Sequence, residues 1–197
     1  LSDGGVHSHE QHLFALLRLA HENGLQDVIV HAFLDGRDTP PKSAETYLQR
    51  IRQQLEQTPG ARIGSIAGRY FAMDRDKRWE RVAPAYEAMA AATGPRFASA
   101  EAAVADSYAR DVTDEFVEPA VIAGYPGMKD GDGVLMANFR ADRAREIMIA
   151  LLDPARYGFA RSRLGGFAAA AGMSEYSKQI AALMPSLFPP QDVPNAL

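Results

Sequence analysis

The sequence contains no cysteine. That absence excludes disulfide scaffolds, thiolate zinc sites and cysteine nucleophiles. It also fits a reducing compartment, so a cytoplasmic location is expected. Lysine is scarce. Of 21 basic residues only Lys42, Lys77, Lys129 and Lys178 are lysines, and the other 17 are arginines. Long apolar runs are missing: the longest, Gly165 to Met173, is mostly alanine and falls well short of the ~18 residues a membrane helix needs. No membrane partner is expected. A net charge of −4 argues against general nucleic-acid binding. Disorder is excluded by a composition of 47% hydrophobic and 23% charged residues, which suffices for a buried core.

Familiar signatures are absent as well. There is no Walker A loop, no Gly-x-Gly-x-x-Gly and no Gly-x-Ser-x-Gly, so neither nucleotide cradling nor a hydrolase elbow is supported. The chain opens on Leu1-Ser2-Asp3-Gly4-Gly5, without an initiator Met or a signal-peptide pattern. Asp3-Gly4-Gly5 is a turn signal that normally follows a strand. Pro189-Pro190-Gln191-Asp192-Val193-Pro194 reads as an extended linker. The two ends together predict a single domain, residues 1–197, taken from a longer protein, with a linker within 172–197.

What is present alternates between strand-like and helix-like segments. Apolar residues at Leu13, Leu16, Leu17 and Ala20 predict a helix over His9 to Asn23, closed by Gly24. Val28 to Leu34 reads as a buried strand. Ser43 starts a helix that runs to about Gln57, and Ile63 to Ala67 is a second strand. Helices follow at Trp79 to Ala92 and Ser99 to Arg110. Val117 to Ile122 is expected as an edge strand because of Pro119. Val134 to Asn138 is a third buried strand, Asp142 to Leu152 a helix, and Gly166 to Ala171 a further strand. The alternation predicts an α/β fold: a mostly parallel sheet flanked by helices on both faces, a three-layer sandwich.

In such sheets ligands bind beyond the carboxyl ends of the strands. Three of those ends deliver arginine: Asp35-Gly36-Arg37-Asp38, Gly68-Arg69-Tyr70 with Asp74-Arg75-Asp76 close behind, and Asn138-Phe139-Arg140 before Asp142-Arg143. Arginine's planar fork grips carboxylate and phosphate bidentately. Several on one rim repel each other unless an anion neutralises them. The bland alternative is that the interleaved aspartates merely tie loops together. Arg145, Arg78 and Arg81 are weaker candidates. Among the histidines, His7 sits in the Gly-rich loop and suits contact with an anion. His9 shares a His-x-His pattern with it, which is a poor metal signature without further ligands. His12 and His21 read as helix-surface residues, and His31 as a core histidine.

The blocks Ser2 to His9, Phe33 to Pro41, Gly68-Arg69-Tyr70, Met73 to Asp76, Arg78-Trp79, Asp114 to Val117 and Asn138 to Arg143 resemble the cofactor-independent (2,3-bisphosphoglycerate-independent) phosphoglycerate mutases. They run in that family's order across about Leu1 to Leu152. The resemblance implies an isomerase of glycolysis and gluconeogenesis that interconverts 3-phosphoglycerate and 2-phosphoglycerate through a phosphoserine. It implies that this chain is the inserted substrate-binding domain and is inactive alone. The serine and two Mn²⁺ or Mg²⁺ ions would belong to a separate phosphatase-like domain related to alkaline phosphatase, and no metal would bind to this chain. Carried over by position, the substrate contacts are His7, Arg37, Asp38, Arg69, Arg75, Arg140 and Arg143, with Asp38 as a general base. A monomer is expected, with phosphoglycerate and the phosphatase-like domain of the same polypeptide as partners. The alternatives are a stand-alone module for small phosphorylated anions, or an interaction domain in which Asp-Arg loops only pair.

Overall fold

The computed structural model describes residues 1–153, 159–162 and 166–190. In chain order the elements are α1 (Glu10–Glu22), β1 (Val28–Leu34), α2 (Ala44–Glu56), β2 (Ala61–Gly68), α3 (Arg69–Ala72), α4 (Trp79–Ala90), β3 (Arg96–Phe97), α5 (Ala100–Ala109), β4 (Ala120–Ile122), β5 (Gly133–Met136), α6 (Arg145–Leu152), β6 (Ala169–Gly172) and α7 (Lys178–Ala181). Helix starts follow capping chemistry. His9 Nδ1 accepts from Gln11 N–H at 3.2 Å, and Ser99 Oγ accepts from Ala102 N–H at 3.2 Å. Ser43 stands at the start of α2 but turns away, donating to the Pro40 carbonyl at 2.8 Å.

Alternation along β1 divides the core. Val30, Ala32 and Leu34 pack with Leu48 and Ile51 of α2, Phe14 and Leu17 of α1 and Val104 of α5. Ile29 and Phe33 point the other way, towards Ala88 and Ala85 of α4. The sheet is therefore covered on both faces, as the α/β sandwich requires. Burying a leucine or isoleucine here contributes roughly 1.5–3 kcal/mol, and Leu34, Leu48, Ile51 and Ile66 are all fully enclosed.

The strands fall into two sheets among the described residues. One runs β1-β2-β4-β3; β1 and β2 are parallel, β3 and β4 are parallel, and β4 is antiparallel to β2. The other pairs β5 with β6 in parallel. The segment around Pro119 is thus not at an edge, because β4 has neighbours on both sides. Pro119 stands one residue before β4, where its missing N–H interrupts no ladder. β4 enters antiparallel because a 3-10 turn, Asp114–Phe116, reverses the chain beside the end of β2, where Gly68 N–H donates to the Val117 carbonyl at 2.7 Å. Gly68 has to be small: a Cβ there would lie 2.3 Å from the Glu115 carbonyl oxygen.

α4 turns its second face to another core, in which Val82, Tyr86 and Met89 meet Ile147, Met148 and Leu151 of α6 and Tyr176 and Ile180 near α7. Among the described residues β1 and β5 each pair on one side, and both line an apolar cavity of about 540 Å³ shared with α1 and α6. Tyr176, Ile180 and Met184 are buried, so the chain from β6 to at least Met184 belongs to the packed body. Residues 191–197, within the expected linker, lie outside the described residues.

Candidate functional site: an arginine-lined rim

The loop after β1 is built around one carboxylate. Asp35 Oδ1 accepts the backbone N–H of Asp38 at 3.0 Å and of Arg37 at 3.3 Å, and Oδ2 accepts from Ser2 Oγ at 2.7 Å. Gly36 makes the turn with φ +71, and a Cβ would sit 2.7 Å from that of Asp114, so only glycine fits. Arg69, delivered by β2, is 3% exposed. Its Nη1 reaches Asp35 Oδ1 at 2.7 Å and Asp38 Oδ2 at 2.5 Å. Burial opposes the Arg69 charge, but its hydrogen bonds to the Asp38 and Asp35 carboxylates outweigh it and raise its pKa. Burial likewise pushes the Asp35 carboxyl up, while the Asp38 N–H, Ser2 and Arg69 outweigh burial and hold it below its ordinary value.

His7 bridges to the second half of the rim. Its carbonyl accepts from Phe139 N–H at 2.9 Å and Arg140 N–H at 3.2 Å. Its ring lies with Nε2 3.9 Å from Asp38 Oδ2 and Nδ1 3.5 Å from Asp142 Oδ1. Burial and the neighbouring Arg69 lower its pKa below 6.5 against the pull of Asp142, so the imidazole is neutral near pH 7. Asp142 then holds Arg75 Nη1 and Arg140 Nε, each at 3.1 Å. Burial works against its ionised form, yet Arg75 and Arg140 keep its pKa low.

Arg143 differs from the others. Its Nη1 donates to the Met73 carbonyl at 2.9 Å. Burial, Arg69, Arg75 and Arg37 lower its pKa, and Asp142 opposes them. Arg37 is mostly exposed and approaches Glu115 Oε1 at 3.4 Å. Chained ion pairs and mutual fields thus bring His7, Arg37, Asp38, Arg69, Arg75, Arg140 and Arg143 into one neighbourhood. Five guanidinium groups there face four carboxylates, those of Asp35, Asp38, Glu115 and Asp142. The arrangement can hold an anion of more than one charge by forked hydrogen bonds on fixed donors.

A family model described as BPG-independent PGAM N-terminus matches residues 1–178. The chain belongs to the 2,3-bisphosphoglycerate-independent phosphoglycerate mutase family. A mutase of that name from Rhodopseudomonas palustris is 55% identical over 197 residues, which is all of this chain and 38% of the relative. One from Chromobacterium violaceum is 49% identical over 198 residues, again all of this chain and 39% of the relative. A crystal structure of Leishmania mexicana phosphoglycerate mutase at low cobalt concentration superposes with a TM-score of 0.92 at 32% identity, over 99% of this chain and 38% of that one. The chain therefore spans little more than a third of the length of these mutases.

Among the described residues no group of three or more His, Cys, Asp or Glu side chains is placed to hold a metal ion. His9 of the His-x-His pattern serves instead as the α1 cap. His31 bonds Ser65 Oγ at 2.7 Å within the core, where burial lowers its pKa to about 4. His12 stays exposed on the surface of α1, as expected, with its ring edge-on to Phe139 and the ring centroids 5.7 Å apart. Sequence reasoning missed Asp35 and Asp142, the carboxylates that organise each half. The Asp-Arg alternation signalled them, but it could not say which aspartate serves which arginine. Arg81 proves to be a loop tie, 3.5 Å from Asp74 and stacked on Tyr70 with its guanidinium 4.0 Å from the ring centre.

Proposed function

We propose that this chain is the substrate-holding part of a phosphoglycerate mutase that interconverts 3-phosphoglycerate and 2-phosphoglycerate. The observation that carries the reading is the rim itself: five arginines on one neighbourhood, with Arg143 lying among cations and bonded to a carbonyl. A phosphoglycerate brings a carboxylate and a phosphate on a short carbon chain, and two such anionic groups need two sets of forks. Arg37, Arg69, Arg75, Arg140 and Arg143 clamp these groups. His7, neutral and central, donates or accepts a hydrogen bond at the middle of the substrate. Asp38 is fixed by Arg69 at 2.5 Å and partly open to solvent, which suits it to accept the proton of the glycerate hydroxyl as that oxygen takes the phosphoryl group.

Clamping both ends lets the glycerate swing so that either hydroxyl comes forward, and the protein's contribution is position and charge. The phosphoryl carrier, a serine, and two Mn²⁺ or Mg²⁺ ions belong in this reading to the phosphatase-like remainder of a longer polypeptide. The arginine rim lies on the surface, which suits a half-site closed by that second domain. The enzyme acts as a monomer in the cytoplasm, in glycolysis and gluconeogenesis. Titrating 3-phosphoglycerate into the chain and following His7 and arginine side-chain signals by NMR tests the reading. Shifts confined to the rim support it. Unchanged rim signals at saturating ligand would refute the clamp, and mutase turnover by the 197-residue chain alone would refute the need for a partner domain.

A further inference from the structure

Beside the rim lies a pair of carboxyls that the clamp does not use. Asp74 is 3% exposed and Glu146 is 6% exposed, and neighbouring amides of one loop hold both carboxyls, Lys77 N–H on Glu146 and Asp76 and Arg78 N–H on Asp74. Two buried carboxylates side by side repel strongly, so such a pair keeps a proton. The pattern of donors says where. Asp74 Oδ2 accepts the N–H groups of Asp76 at 2.9 Å and Arg78 at 3.0 Å, and Arg81 of α4 lies 3.5 Å from Oδ1. Glu146 Oε1 accepts the Lys77 N–H at 2.7 Å, whereas its buried Oε2 meets no donor among the described residues. A proton on Oε2, donated to Asp74, resolves that orphaned atom.

We propose that Asp74 and Glu146 share this one proton, and that the bond is a clip positioning Arg75 and Arg143 for the bound anion. The clip joins the loop 73–78 to the start of α6. Lys77, whose amide Glu146 holds, has a left-handed φ of 58, a conformation that persists only where neighbours enforce it. Two further ties cross the same junction, Arg143 to the Met73 carbonyl and Arg75 to Asp142. Glu146 follows Arg143 by three residues, almost one helical turn, so loosening the loop disturbs both arginines together.

Burial first, then the hydrogen bond and charge of Asp74, push the Glu146 carboxyl up to about 7, and Asp76 adds to this against the Lys77 N–H. Burial also presses Asp74 upward, but the Arg78 N–H, Glu146, the Asp76 N–H and Arg81 outweigh it and keep it low. At the start of α6, Arg143 in the preceding turn and Arg145 in the helix are turned to the carbonyls of Met73 and Tyr176. A carboxyl raised in the folded state contributes stability that is complete below its ordinary value, here 4.5, and lost as pH rises through about 7. The clip is therefore closed in mild acid and opens in mild base, when Glu146–H gives its proton to water and two carboxylates face each other.

The functional half of this inference rests on the phosphoglycerate reading, and the test separates the two. Carboxyl ¹³C NMR of the chain should show Glu146 titrating near neutrality, with the Lys77 amide shifting at the same midpoint. Both carboxyls titrating below about pH 5 overturn the shared proton. Glu146→Gln keeps an acceptor for Lys77 and a donor for Asp74. Between about pH 6 and about pH 8.5, wild-type affinity for 3-phosphoglycerate should fall about threefold or more relative to E146Q. The ligand's own phosphate ionisation is common to both proteins and cancels. Parallel pH profiles overturn the positioning role. If the wild type binds no 3-phosphoglycerate at either pH, the mutase reading fails and takes the positioning role with it, while the carboxyl titration still decides the shared proton.

Discussion

The two halves of the rim use the same pair of residue types in opposite ways. Around Arg69 the guanidinium is enclosed and both aspartates are largely covered, with Ser2 and two backbone amides locked to Asp35. Around Asp142 it is the carboxylate that is central, and the arginines it holds, Arg75 and Arg140, are 48% and 47% exposed. The first half is a frame. A buried pair adds little net stability, because desolvation offsets attraction, yet losing one partner is costly. The second half is a pair of reaching arms, whose ion pairs in water are weak and easily exchanged for a ligand's oxygens. An anion site needs both, because fixed donors set the geometry and loosely held ones can transfer to the ligand.

Arg69→Met should have the largest effect. It leaves Asp35 and Asp38 facing each other without a counter-charge, at a cost of about 3 kcal/mol in urea unfolding, and abolishes detectable phosphoglycerate binding. A near-neutral result would show that the frame is no frame. Arg75→Gln and Arg140→Gln should reverse the pattern: each weakens 3-phosphoglycerate binding about tenfold, the loss of one charged hydrogen bond, while unfolding shifts by no more than about 0.5 kcal/mol. Equal losses of stability and binding would erase the distinction between the halves.

Acid distinguishes them more gently. The Asp35 carboxyl titrates below its ordinary 3.8, so its contribution is complete above that value and is lost as pH falls through the lower folded value. Asp35→Asn should therefore flatten the acid limb of the stability profile. An unchanged limb would assign acid sensitivity elsewhere. Smallest of all, Arg37→Gln should leave stability within about 0.5 kcal/mol, since Arg37 is exposed and its Glu115 partner is 3.4 Å away. Only its effect on binding would then register.

Much of this was legible in the chain. Leu13, Leu16 and Leu17 mark α1, Val28–Leu34 is β1 as read, and the arginines stand where strand ends deliver ligands. The helix and strand periods are local, so a linear pattern carries them. Pro119 misled because a proline looks like an edge signal wherever it stands, and only the register shows that it precedes β4. The two-sheet division was invisible for the same reason, since pairing depends on partners far apart in sequence. Asp74 and Glu146 escaped notice because 72 residues separate them, and neither is unusual alone.

The sequence by itself determined the types of the longer elements, the absence of thiol chemistry and an arginine-rich set of strand-end loops, because propensity, capping and periodicity act over a few residues. Its motif order was enough to point to the mutase family. Tertiary structure alone decided which aspartate frames Arg69, which one gathers Arg75 and Arg140, and that Arg143 is left among cations. Charge interactions depend on distance and burial, and both are set only when the chain has folded.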